Sequence, residues 1–422
     1  MNLTVENTTK LSGEVKAPPS KSYTIRAVVA GLLAEGVSTI KDPLYSEDTK
    51  AAINASLSLG AKIKKTEEGL KISGVVGLPK APKNAIDTLN SGTTIRIMTA
   101  VASLCNSKIT LTGDESIRRR PIEQLLAALR QLGVKANSEN SCPPVTVQGP
   151  IRGGICKIDG GVSSQFISAL LMALPCARGN STIEIVGKLR SKPYIDLTLN
   201  MLDKFKVRVG NDGDFRFIVP GDQTYKATEY TVEGDYSSAA FLLAAAALTK
   251  SKVTVRNLFK DSKQADKKII QILRSMGADV SLDNDSVTVI GGNILKGTDI
   301  DLNDSPDLLP IASVLGAVAA GRTVIHNVAH ARIKECDRIR AMYTELKKMN
   351  ATIVERQDGL EITSSRLKGT LVEGWHDHRI VMALAIAGLK AEGKTEITDR
   401  EYVGVTFPNF IEVMKNMGAN IN

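Results

Sequence analysis

Aromatic side chains make up only 4% of the 422 residues, with a single tryptophan. That is too few for the stacking platforms on which proteins hold single-stranded nucleic acid. Lys and Arg are spread along the whole chain with no basic tail, so nucleic acid is not expected as a partner. Cysteine is scarce too. Cys105, Cys142, Cys156, Cys176 and Cys336 are odd in number, far apart and without a C-x-x-C pair, which argues against a disulfide framework and a zinc site. A reducing, cytoplasmic setting follows. The opening residues MNLTVENTTKLSGEV lack the apolar stretch of a signal peptide. The longest apolar runs, such as Leu308–Ala320, fall short of the roughly 20 residues that span a bilayer, so no membrane association is expected.

What is present describes a globular enzyme of two domains. Apolar residues at 43% and charged ones at 23% are close to soluble averages, and 422 residues exceed what one core usually serves. A net charge of +9 calls for an anionic partner, and a small anion with several charges suits scattered cations better than a polymer does.

The chain repeats itself. An apolar helical stretch ends in a small turn and enters a β-branched strand at Gly36, Ser107, Gly179, Ser251, Gly321 and Gly393, roughly every 70 residues. In the same rhythm an amphipathic helix closes at Leu or Met and passes into an alternating hairpin, as in SLGAKIKKTEEGLKISG and SMGADVSLDNDSVTVIGG, with a truncated last copy, NMGANIN. Six mixed units, three per domain, are expected. The N-terminal strands would complete the last-formed domain, giving residues 1–15 plus 233–422 as one lobe and 16–232 as the other. A cleft between two such lobes is a preferred place for ligands.

The repeat disposes of one tempting motif. GLKAEGKT, Gly388–Thr395, matches the G-x-x-x-x-G-K-T pattern of a nucleotide-binding loop, which needs a strand before it and a helix after it. Here the order is reversed, and Gly393 reads as the cap of a helix end.

Other clusters break the repeat. PPSKSYTIRA sets Lys21 and Ser22 before a helix with Arg26 one turn inside; LNSGTTIR sets Gly92 where backbone can approach a ligand; RRRP sets Arg120 before Pro121. VSSQF adds Ser163, Ser164 and Gln165, and RSKPYID adds Ser191 and Tyr194. SPDLLP carries Asp307, ARIKECDRIR carries Lys334, Glu335, Asp337 and Arg338, and WHDHRI carries Asp377, His378 and Arg379. Taken singly, such features are mostly helix caps and solvated faces. His376 and His378 supply too few ligands for a metal, so neither metal nor cofactor is expected, and an orienting role toward Asp377 or Arg379 fits them better.

In order, SKSYTIRA, NSGTTIR, RRRPI, SSQF, SKPYID, VEGDYSSAAF, ARIKECDRI, DHRIVMA and TFPNF resemble the successive signatures of the 5-enolpyruvylshikimate-3-phosphate synthase family, from Pro18 to Pro408. The resemblance implies an α/β fold of two lobes, each of three helix-and-strand units, with the active site in the inter-lobe cleft. It also implies transfer of the enolpyruvyl group of phosphoenolpyruvate to the 5-hydroxyl of shikimate 3-phosphate, by a monomer acting on small molecules.

By matched position, Ser22 and Arg26 would bind the shikimate carboxylate, Ser163, Ser164 and Ser191 the 3-phosphate, and Gln165 would lie against the ring. Lys21, Gly92 and Arg120 would hold the phosphate of phosphoenolpyruvate, and Arg338 and Arg379 its carboxylate. Asp307 would take the hydroxyl proton, Glu335 would protonate the methylene, and Lys334 with Lys21 would supply charge or protons. Two positions depart from the common pattern: Val405 stands where many members have Lys, and His330 where many have Asn. Gly92, kept here, implies sensitivity to glyphosate, a phosphoenolpyruvate mimic in this family. Two rivals share related architecture. A transferase acting on UDP-N-acetylglucosamine would need a Cys before RRRP, and an RNA 3'-phosphate cyclase a His nucleophile; the chain has neither in a matching context.

Overall fold

Each unit turns its sequence pattern into the same piece of structure. In the computed structural model, which describes residues 2–422, apolar helices run into strands through tight turns. Gly36, Gly179, Gly321 and Gly393 adopt φ of +96°, +79°, +90° and +87° there, dihedrals that strain any residue with a Cβ. Gly393 lies between the helix His378–Gly388 and the strand Thr395–Ile397. With the helix first, the loop is not built to cradle a nucleotide phosphate.

The strands form six sheets, five of them four-stranded with one layout. In the first, Glu229–Thr231 runs parallel to Val37–Lys41, which pairs antiparallel with Gly69–Ser73, itself antiparallel to Lys62–Thr66. A parallel pair requires a long crossover, here the apolar helix, whereas the antiparallel pair needs only a short turn. The sixth sheet has three strands: Leu371–Val372 parallel to Thr395–Ile397, with Leu3–Val5 antiparallel on the other side. The N-terminal segment in fact serves two sheets, because Ser12–Lys16 also runs parallel to Lys252–Arg256.

The chain divides into two compact units: an N-terminal unit, Pro19–Val232, and a C-terminal unit of Glu233–Asn422 with the segment ending at Pro18. Sequence reading set the first crossing near Lys16, where the pairing with Lys252–Arg256 runs on until Ala17 N donates to Arg256 O.

Each unit has its own apolar core around three helices. In the N-terminal unit these are Lys21–Leu33, Gly92–Ala102 and Ser164–Ala173; in the C-terminal unit, Tyr236–Leu248, Leu309–Val318 and His378–Gly388. Every residue of Gly92–Ala102 and of His378–Gly388 is buried. A helix that is apolar all round belongs in a core. Its first turn still carries amides that lack intrahelical partners, and each of the six starts in a cluster that breaks the repeat. No helix among the described residues is long and apolar enough to cross a membrane.

Candidate active site

In the N-terminal unit, seryl residues occupy the cap positions of the three core helices. Ser91 Oγ accepts from Thr94 N, Ser163 Oγ accepts from Gln165 N, and Ser20 stands before Lys21. Short polar side chains satisfy helix-start amides without adding charge, so the positive end of each dipole stays available to an anion. Cations gather at the same starts. Lys21 Nζ lies 2.8 Å from Asp48 Oδ2, and both side chains are largely buried. A Cβ on Gly92 would stand 2.7 Å from Arg120 Nη1 and 3.1 Å from Arg96 Nη1, so two guanidinium groups converge where that residue has no side chain. Arg120 Nη2 donates to Ser116 Oγ at 2.8 Å. Arg96 donates to Gln165 Oε1 and lies over the Phe166 ring, while Gln165 Nε2 donates to Thr93 Oγ1 at 3.1 Å.

Arg26 is 1% exposed, and its partners are all neutral. Nε donates to Thr198 Oγ1 at 2.8 Å, Nη1 to Ser22 O at 3.1 Å, and Nη2 to Ser168 Oγ and Tyr194 O at 3.4 Å each. Burial without a carboxylate pushes its pKa down to about 10. Ser191, just before the Lys192–Lys204 helix, holds a left-handed backbone at φ +54° and is 6% exposed. A non-glycine residue kept in that conformation marks a position fixed by its surroundings.

In the C-terminal unit the same helix starts carry acid. Asp235 caps Tyr236–Leu248 by accepting from Ser238 N, Asp377 caps His378–Gly388 by accepting from Arg379 N, and Asp307 sits in the 3₁₀ turn Pro306–Leu308 that leads into Leu309–Val318. Arg338, 1% exposed, is the hub. Nη1 reaches Asp307 Oδ1 at 2.6 Å, Nη2 reaches Glu335 Oε2 at 2.6 Å, and Nε reaches Asp377 Oδ2 at 2.7 Å. Although burial opposes it, these carboxylates hold the guanidinium well above its usual pKa. Asp307 also meets Arg379 Nη2 at 3.1 Å and Lys334 Nζ at 3.7 Å. Burial, ahead of the opposing pull of Asp307, holds the Lys334 ammonium below its ordinary value. His330 is buried in the 3₁₀ turn Ala329–Ile333.

The segment ARIKECDRIR, which alone reads as a solvated helix face, is instead a 3₁₀ turn and a bend, with helix only from Arg338. That break sets Lys334 and Arg338 against Asp307, and Glu335 against Arg338. His378 is buried with Nδ1 3.7 Å from Asp377, whereas His376 is exposed and pairs with Asp399 at 3.3 Å. No group of three or more His, Cys, Asp or Glu among the described residues could hold a metal. The five cysteines are unpaired, and burial pushes the Cys336 thiol far up, so it is not a nucleophile.

Sequence reading left four residues of this geometry out of the site. Arg96 follows Gly92 by four, the spacing that stacks side chains on one helix face, and could have been found that way. Asp377 was singled out in WHDHRI, with the histidines orienting it or Arg379, but was given no role in the site. Asp48 lies in SEDTKAA and Asp266 in KQADKK, contexts that look solvated, and no local pattern marks either.

The chain is 51% identical to the 3-phosphoshikimate 1-carboxyvinyltransferase of Methanothrix thermoacetophila over 97% of each chain, and 49% identical to that of Methanocaldococcus jannaschii over 99% of each. The solved EPSP synthase of Acinetobacter baumannii superposes with a TM-score of 0.86 at 29% identity, covering 100% of this chain and 99% of its own. The model of the EPSP synthase (3-phosphoshikimate 1-carboxyvinyltransferase) family matches residues 5–414, and the chain belongs to that family.

Proposed function

We propose that this chain transfers the enolpyruvyl group of phosphoenolpyruvate to the 5-hydroxyl of shikimate 3-phosphate and releases phosphate, a step toward chorismate and the aromatic amino acids. The observation that carries the reading is Asp307, one carboxylate held against Arg338, Arg379 and Lys334 at the start of a core helix. A carboxylate so held is placed to act as a base and lies where an anionic substrate would be bound.

Asp307 takes the proton of the 5-hydroxyl as its oxygen attacks the substituted enol carbon. Glu335, protonated once it is displaced from Arg338, delivers that proton to the methylene, which becomes a methyl group in a tetrahedral adduct. Return of a methyl proton to the Glu335 carboxylate and departure of phosphate restore the double bond, with Lys334 and Lys21 supplying charge to the leaving group. Every guanidinium nitrogen of Arg338 already faces a carboxylate. An incoming substrate carboxylate therefore displaces Asp307 or Glu335 from Arg338, and so releases the groups that act as base and acid.

Arg26 and Ser22 take the shikimate carboxylate, which supports the reading physically: a buried guanidinium with neutral partners gains most from an anion. Ser163, Ser164 and Ser191 take the 3-phosphate, Gln165 meets the ring, and His330 adds a contact to shikimate 3-phosphate. Lys21, Arg120 and the backbone at Gly92 hold the phosphate of phosphoenolpyruvate; Arg338 and Arg379 hold its carboxylate. The residues suffice for the electrostatics without metal or cofactor, and we read the enzyme as a cytoplasmic monomer.

The test is phosphate release from phosphoenolpyruvate. It should require shikimate 3-phosphate and not occur with UDP-N-acetylglucosamine in its place. Release with the sugar nucleotide, or ATP-dependent turnover of an RNA 3'-phosphate, would replace this reading with one of its rivals.

A further inference from the structure

Asp266 is a fourth acid at the Asp307 cluster, and neither the sequence nor the reaction scheme above uses it. It lies in the 3₁₀ turn Ala265–Lys268 and is 1% exposed. Ser305 Oγ donates to Ala265 O at 2.9 Å, which ties this turn to the one that carries Asp307. Ser237, in the first turn of Tyr236–Leu248, donates its hydroxyl to Asp266 Oδ2. The other carboxyl oxygen, Oδ1, is buried with no hydrogen-bond partner. Its two neighbouring lysines do not neutralise it, since Lys267 Nζ donates to Lys260 O and Lys268 Nζ to Asp301 O.

The charges facing it are Asp307, Arg379 and Asp235. The ion pairs of the cluster set three carboxylates, Asp307, Glu335 and Asp377, against three cations, Lys334, Arg338 and Arg379. An ionised Asp266 would add a negative charge to a balanced, buried set that already has Asp235 beside it. Burial first, then the charge of Asp307, pushes its pKa up to about 7; Arg379 and the Ser237 hydroxyl pull the other way. Two acids that interact titrate as a pair, so the rise at Asp266 reflects both its burial and the charge of Asp307.

We propose that Asp266 is a further positioning residue of this site: as a neutral acid it leaves Arg379 to the anionic substrate, and once ionised it draws Arg379 to itself and weakens substrate binding. The proposal rests on the assignment of Arg379 to the phosphoenolpyruvate carboxylate. It places the effect in KM for that substrate, in kcat only secondarily, and on the alkaline side of neutrality.

The experiment follows KM for phosphoenolpyruvate from pH 6 to 8.5 in the wild-type enzyme and in Asp266→Asn, which is nearly isosteric and cannot ionise. The substrate phosphate titrates in part of the same range, and the comparison of the two proteins cancels that contribution. KM of the wild type should rise at least severalfold relative to the variant as pH passes through about 7, while below that the two agree within about twofold. Ser237→Ala, which removes a hydroxyl that favours the ionised form, should move the rise to higher pH and so gives a second reading if Asp266→Asn folds poorly. Parallel pH profiles for the wild type and both variants would overturn the proposal. Arg379→Gln separates the two levels: an unchanged KM would refute the assignment of Arg379 and the proposal with it. A raised KM together with parallel profiles would refute the role of Asp266 alone.

Discussion

The two units repeat one strand layout and one three-helix core, yet they treat the starts of those helices oppositely. In the N-terminal unit the cap positions hold Ser20, Ser91 and Ser163; in the C-terminal unit Asp235 and Asp377 cap two helices and Asp307 enters the third. Serine and aspartate serve a helix start about equally well, so folding does not explain the choice. Charge does. The first unit leaves its dipoles and Arg26, with its neutral partners, open to anions, while the second sets acids against its arginines. In the reading proposed here, the same fold thus yields a binding half and a half that also moves protons.

The sharpest tests of that contrast lie in the acidic unit. Replacing Arg338 with Met leaves Asp307, Glu335 and Asp377 without their shared cation, and should destabilise the protein by about 3–5 kcal/mol, as breaking buried ion pairs does. Urea unfolding reads this directly; an unchanged midpoint would mean the three carboxylates do not depend on Arg338. Asp307→Ala should lower kcat by roughly 10²–10⁴ while shikimate 3-phosphate binds within about tenfold of wild type. Near-normal turnover would remove Asp307 from the role of base.

In the other unit the effects should fall on binding. Ser163→Asp gives that helix an acidic cap like those of its counterpart, so thermal stability should hold to within about 1 kcal/mol. Affinity for shikimate 3-phosphate should drop at least tenfold, because in the proposed reading the new charge would face the phosphate. Unchanged affinity in titration calorimetry would place the phosphate elsewhere and dissolve the comparison. Gly92→Ala is the mildest change. Its methyl would stand 2.7 Å from Arg120 Nη1, the far end of a flexible side chain, which can shift at small energetic expense. Glyphosate inhibition, expected to be competitive with phosphoenolpyruvate, should weaken much more than KM rises. An inhibition constant indifferent to the methyl would show that Gly92 does not line the site.

Much of the candidate site was legible in consecutive residues. Lys21, Gly92, Gln165, Asp307 and Arg338 all lie at core-helix starts or in short breaks of the repeat, where a polar cluster stands out against apolar surroundings. Asp48 and Asp266 were not legible. Each follows or precedes charged neighbours that suggest a wet surface, yet they are 4% and 1% exposed. Nor could IKECDR, which taken alone reads as a solvated helix face, foresee that helix begins only at Arg338, which brings Glu335 to within 2.6 Å of it.

By itself the sequence determined the six units, their helix-to-strand turns and the residues at each helix start. These depend on periodicity and turn dihedrals, which are properties of neighbours along the chain. Only the tertiary structure decided which charges meet: that Arg26 is buried among hydroxyls and carbonyls, that Arg338 faces three carboxylates, and that Asp266 shares the surroundings of Asp307. Whether a side chain keeps its charge depends on how much water its neighbours exclude and which groups replace it, and those neighbours come from segments far apart in the chain.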